Sequence, residues 1–127
     1  MTYFIDVYGT VIDESNGTAY VDAIQMLHSL GNEAILISRA SSRDAIIAAL
    51  PGVPRLTILL TGGGDKADFL AENPHLVTAS SVFVDDSVDQ LEGMQARFPE
   101  VRLFEIRRDG KEGDGRFQVI RSLSDLP

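Results

Sequence analysis

Residues 3–13 read Tyr3-Phe4-Ile5-Asp6-Val7-Tyr8-Gly9-Thr10-Val11-Ile12-Asp13, and the reading of the whole chain turns on them. An apolar, β-prone run meets a carboxylate, and a glycine turn follows. Residues 2–8 read as a buried strand. In an open parallel sheet, ligands bind beyond the carboxyl ends of the strands, so Asp6 is expected where a substrate would sit. Gly9 lets the backbone turn sharply or approach a ligand closely. Thr10 adds a hydroxyl at the same edge, a candidate substrate contact.

The segments after this stretch repeat its logic. Asn16-Gly17 within residues 11–20 is a hairpin-turn signal and predicts a small flap beside the tip of the first strand. Tyr20 to Leu30 is helical by spacing, with Ala23, Ile24, Leu27 and Leu30 on one face and Gly31 as its stop. Glu33–Ser38 holds a short apolar strand. Ser41 and Ser42 are placed to cap a helix running to about Leu50, which Pro51-Gly52 ends. Arg55–Leu60 is the next strand, and Gly62-Gly63-Gly64 leads into a helix over Asp65–Glu72. Ser81–Val84 is a strand ending at Asp85-Asp86, Asp89–Phe98 a helix, and Val101–Ile106 a strand. Residues 107–115 are polar and glycine-rich and read as a hairpin tip or loop. Phe117–Ile120 is a short final strand. Alternating strands and helices predict an α/β fold, a Rossmann-like three-layer sandwich with a mainly parallel sheet.

Composition sets the bounds. The 127 residues suit a single domain spanning 1–127, and 44% hydrophobic content suits a packed core. A net charge of −8 argues against a nucleic-acid surface, which recruits Lys and Arg to phosphates. The absence of cysteine removes disulfides, thiolate metal sites and a Cys nucleophile. No signal-peptide pattern opens the chain, and no apolar run approaches the ~20 residues that span a bilayer. The expectation is a cytoplasmic, soluble protein with no membrane partner.

Asp6, Ser38, Lys66 and Asp85-Asp86 each end a strand or open the helix that follows one. A right-handed, doubly wound sheet brings all of these points to one edge. Carboxylates at Asp6 and Asp85/Asp86 would repel unless a cation lay between them, and all-oxygen donors suit Mg²⁺. Lys66 would offset the charge of a bound phosphate, and Ser38 would donate to a phosphate oxygen. Asp6 would then be a carboxylate nucleophile. Arg39, next to Ser38, is a further candidate for an anion. His28 and His75 have no second ligand at metal spacing.

This order and spacing resembles the haloacid dehalogenase (HAD) superfamily over essentially the whole chain. Asp6, in Asp-x-x-Gly-Thr-Val, matches its motif I nucleophile. Ser38, closing Ile35-Leu36-Ile37-Ser38, matches motif II. Lys66 looks like the motif III lysine, and Val82-Phe83-Val84-Asp85-Asp86 like the acidic motif IV. The resemblance implies an aspartyl-phosphate mechanism and a flap after motif I. Mg²⁺ would be held by Asp6, the Tyr8 carbonyl and Asp85 or Asp86.

One position departs from the pattern. Phosphatases of the superfamily usually carry an acid/base aspartate two residues after the nucleophile, and here Tyr8 stands there. A phenol with a pKa near 10 is a poor base at neutral pH, and acid–base help is worth roughly 10²–10⁴-fold in rate. Tyr8 is therefore either a catalytic residue of a slow enzyme or a residue packed under the flap. Asp-x-Tyr-Gly-Thr also looks like motif I of the 2-haloacid dehalogenases, but only residues 7–37 lie between Asp6 and Ser38, too few for their helical cap. The leading expectation is a Mg²⁺-dependent phosphohydrolase or phosphotransferase of the capless type. The alternatives are a carbon–halogen hydrolase and a non-catalytic phosphate- or protein-binding module. An open, capless site implies a phosphorylated macromolecule as substrate, or a small one enclosed by a neighbouring subunit of a homo-oligomer.

Overall fold

The first strand, β1 (Tyr3–Asp6), is buried on both faces, as expected for a continuous apolar run at the centre of a parallel sheet. A computed structural model describes residues 1–113 and 115–127. In it β1 pairs in parallel with β2 (Ala34–Ser38) on one side and β4 (Val82–Asp85) on the other. Ile5 lies opposite both Leu36 and Val84. Outside these come β3 (Thr57–Leu60) beyond β2, then β5 (Arg102–Ile106) and β6 (Gln118–Ile120) beyond β4. The order is β3-β2-β1-β4-β5-β6. Every pairing is parallel, so the sheet is wholly rather than mainly so.

Strand alternation divides the core between two faces. Tyr3 and Ile5 pack with Val82 and Val84 beneath α1 (Val21–Leu30) and α2 (Asp44–Ala49), which contribute Ala23, Leu27 and Ile46. Phe4, Ile37 and Phe83 face the other way, against Ala67 and Leu70 of α3 (Lys66–Glu72) and Leu91 and Met94 of α4 (Val88–Arg97). The result is the expected three-layer α/β sandwich. Among the described residues no helix is long and apolar enough to cross a membrane.

The flap forms as anticipated. Ile12 bridges Ala19, and the Gly17 amide donates to the Asp13 carbonyl across the Asn16-Gly17 turn. Three local readings need correction. Helix α2 starts at Asp44 with no side-chain cap; Ser42 only accepts a long 3.4 Å bond from the Asp44 amide. Strand β3 starts at Thr57, because Arg55 adopts a left-handed φ of 58° and turns the chain just before it. Of the hairpin tip or loop expected at 107–115, the hairpin is excluded and the loop stands: β5 and β6 run parallel, which a hairpin cannot join. Asp114, within that segment, lies outside the described residues.

The chain closes with a 3₁₀ turn, Leu123–Asp125, held by a reciprocal capping box between Ser122 and Asp125. Asp22 of α1 accepts from the Leu123 amide at 2.8 Å and the Ser122 hydroxyl at 3.2 Å, fastening this end to α1.

Candidate functional site

The alternation that sorts the core also aims the site. Phe4 and Asp6 share one face of β1, and Phe83 and Asp85 share the same face of β4. Both carboxylates therefore project toward the layer of α3 and α4. Lys66, the first residue of α3, meets them there. Its Nζ lies 2.5 Å from Asp6 Oδ1 and 2.6 Å from Asp85 Oδ2, with all three side chains nearly inaccessible. The second oxygen of Asp6 accepts the Thr10 hydroxyl at 2.9 Å, and the second oxygen of Asp85 accepts the Ser87 amide at 3.0 Å. Both carboxylates are thus fixed through each of their oxygens.

Asp86 enters from the loop after β4 and overlies Gly9. A Cβ at Gly9 would lie 2.2 Å from Asp86 Oδ2, and Gly9 has a φ of 85°. The position therefore excludes other residues twice, by backbone conformation and by contact. Asp6, Asp85 and Asp86 each offer an oxygen within 4.8 Å of the others. Burial, then the nearby charge of Asp6, push the Asp86 carboxyl up to about 8. Asp85 is pushed up to about 6 by burial and Asp6, against the pull of Lys66. Burial would lower the Lys66 pKa, but Asp6 and Asp85 outweigh it and hold the ammonium charged. Three ionised carboxylates against one ammonium would leave excess negative charge, which is why the carboxyls retain protons. Their all-oxygen donor set fits a Mg²⁺-sized cation.

These residues border a cleft of about 210 Å³ that Tyr8, Ser38, Arg39 and Gln90 also line. The residues read from the strand ends thus come to one place. Ser38 is buried, and its Oγ accepts the Ala40 amide at 3.1 Å, which leaves its proton available to a ligand. Arg39 is strapped to the glycine turn, with Nη2 2.7 Å from the Gly63 carbonyl. Tyr8 is half-buried against the main core. Among the described residues neither its hydroxyl nor its carbonyl has a hydrogen-bond partner. Thr10 differs from expectation: it is fully buried and its hydroxyl serves Asp6 rather than facing the cleft.

Gln90 is the residue sequence reasoning missed. It is buried on α4; its Oε1 accepts the Lys66 amide at 2.9 Å and its Nε2 reaches Asp65 at 3.3 Å. It thereby anchors the start of α3, and so Lys66. Its neighbour Asp89 is exposed. The available signal was the spacing of Gln90 four residues before Met94, which puts a polar side chain on the buried face of α4.

A second cleft, about 310 Å³, lies on the flap side of Asp86 between Gly9, Glu14, Tyr20, Ile106 and Arg107. Arg108 also lines it. The guanidinium stacks 4.0 Å from the Tyr20 ring centre, bonds both oxygens of Asp22 at 2.9 Å and donates to the Thr10 carbonyl at 2.6 Å. No protein-family model matches the chain, and no curated protein matches it.

Proposed function

We propose that the protein is a Mg²⁺-dependent phosphohydrolase or phosphotransferase of the HAD type, with Asp6 as nucleophile. The observation that carries this reading is the convergence of Asp6, Asp85 and Asp86 within 4.8 Å at the carboxyl end of a parallel sheet. A buried ammonium bridges two of the three. Asp6, Asp85, Asp86 and the unpartnered Tyr8 carbonyl would hold the cation. When bound, it would neutralise charge on the phosphoryl oxygens and on the carboxylates.

The chain's own residues do the rest. Thr10 and Lys66 orient Asp6 for attack on phosphorus. Lys66 has three N–H groups, two of them engaged with carboxylates, and the third is free to meet a phosphoryl oxygen. Ser38 donates a second hydrogen bond, and Arg39 at the rim adds positive charge. Positioning and charge stabilisation supply most of phosphoryl-transfer catalysis, and these groups supply both. A phosphorylated substrate follows from the same reading.

The test is hydrolysis of an activated aryl phosphate with and without Mg²⁺, in wild type and Asp6→Asn. Mg²⁺-dependent turnover that disappears in Asp6→Asn is expected. Metal-independent halide release from a 2-haloacid would instead favour carbon–halogen hydrolysis. Binding of Mg²⁺ and a phosphate analogue with no turnover would favour a binding module.

A further inference from the structure

Hydrolysis of an unactivated phosphate ester needs a group that protonates the leaving oxygen and later takes a proton from water. Around the Asp6 site most carboxyls are otherwise engaged. Asp6 and Asp85 are held by Lys66, and Asp86 completes the acidic triad. Asp13, on the flap, accepts the Ser15 hydroxyl at 2.7 Å and the Ser15 amide at 2.9 Å. Those bonds hold it ionised, below the usual carboxylate range, which makes it a poor proton carrier. Asp109 accepts the Lys111 amide at 2.9 Å. Glu14 is different. Among the described residues its carboxylate has no hydrogen bond or ion pair. It also reaches back from the flap over Gly9: the point where a Gly9 Cβ would stand is 3.1 Å from Glu14 Oε1 and 2.2 Å from Asp86 Oδ2. It lines the flap-side cleft, which shares Asp86 and so adjoins the cleft of Asp6.

We propose that Glu14 is the acid–base residue of this site and that the flap-side cleft receives the leaving group. The proposal rests on the aspartyl-nucleophile reading above. In the first step an Asp6 oxygen bonds to phosphorus and the ester P–O bond breaks. The leaving oxygen keeps the electron pair and takes the Glu14 proton. In the second step water bonds to phosphorus and gives its proton to the Glu14 carboxylate. The Asp6–phosphorus bond breaks, restoring the Asp6 carboxylate and releasing inorganic phosphate. Glu14 thus does from the flap what the Tyr8 side chain is poorly suited to do.

The experiment compares wild type, Glu14→Gln, Glu14→Asp and Asp6→Asn with Mg²⁺ on two substrates, an aryl phosphate with an acidic phenol and an alkyl phosphate. Quenched protein is analysed by mass spectrometry. Glu14→Gln is expected to slow the alkyl ester by roughly 10²–10⁴-fold. On the aryl ester it is expected to release about one equivalent of phenol and stall with phosphate on Asp6. Glu14→Asp should retain part of the turnover. A purely structural role would not trap the intermediate. The proposal is overturned if Glu14→Gln hydrolyses the alkyl ester within about twofold of wild type, or if it loses both activities with no phosphate on Asp6. If wild type is inert on both esters, the aspartyl-nucleophile reading has itself failed, and the role of Glu14 with it. If Asp6→Asn alone is inert, only the role of Glu14 fails.

Discussion

Lys66 stands between two carboxylates, 2.5 Å from Asp6 and 2.6 Å from Asp85, in a setting almost closed to solvent. A buried pair that loses one partner leaves uncompensated charge, at a cost of about 3–5 kcal/mol. Lys66→Met is therefore expected to lower stability by that amount near pH 8. The loss should be smaller near pH 5, where the freed carboxylates take up protons. Urea denaturation at the two pH values checks this.

The acidic triad makes the metal-free protein sensitive to pH in a definite direction. Asp86 and Asp85 have folded-state values raised to about 8 and about 6 from 3.8. The native state therefore holds protons that the unfolded state has released, and stability falls as pH rises from about 4 toward 8. Asp86→Asn should raise the melting temperature of the metal-free protein at pH 8. In wild type, Mg²⁺ at a hundredfold excess over its Kd should add about 2.7 kcal/mol. That gain should shrink at pH 5.5, where protons compete, and largely vanish in Asp86→Asn. Thermal melts with and without Mg²⁺ read all three outcomes.

Gly9 admits Asp86 to the site, since any Cβ there would meet the Asp86 carboxylate. Gly9→Ala is expected to cost about 1–2 kcal/mol through its left-handed backbone and to push Asp86 aside. The Mg²⁺-induced thermal shift should fall with it, while the far-UV circular dichroism spectrum stays native.

Asp22 ties α1 to two distant segments, binding Arg108 on one and Ser122 and the Leu123 amide on the other. Burial acts to raise its pKa, but Arg108 and the Leu123 amide outweigh burial and hold the carboxyl below 3.8. Its contribution is present above the unfolded value and is lost as pH falls below about 4. Asp22→Ala should cost about 2 kcal/mol at neutral pH, the scale of hydrogen bonds to a charged group. The C-terminal turn should become protease-sensitive. Chemical denaturation and limited proteolysis measure the two effects.

Strand ends and helix starts are local matters, and the chain shows them openly. Tyr3–Asp6, Ala34–Ser38 and Val82–Asp85 are short apolar runs closed by polar residues. A period of two places Asp6 with Phe4 and Asp85 with Phe83, so the convergence of Asp6, Ser38, Lys66 and Asp85-Asp86 on one edge was legible once a parallel sheet was inferred. Contacts between segments far apart in sequence follow no local periodicity. The turn of Thr10 onto Asp6, the support of Lys66 by Gln90, the approach of Glu14 and Asp86 to Gly9, and the parallel return of β6 all depend on how the elements pack. Residue type and spacing specify which backbone each segment adopts and which side it buries. Which partner a polar side chain finds was decided only when the sheet brought the ends of β1 and β4 and the start of α3 within hydrogen-bonding reach.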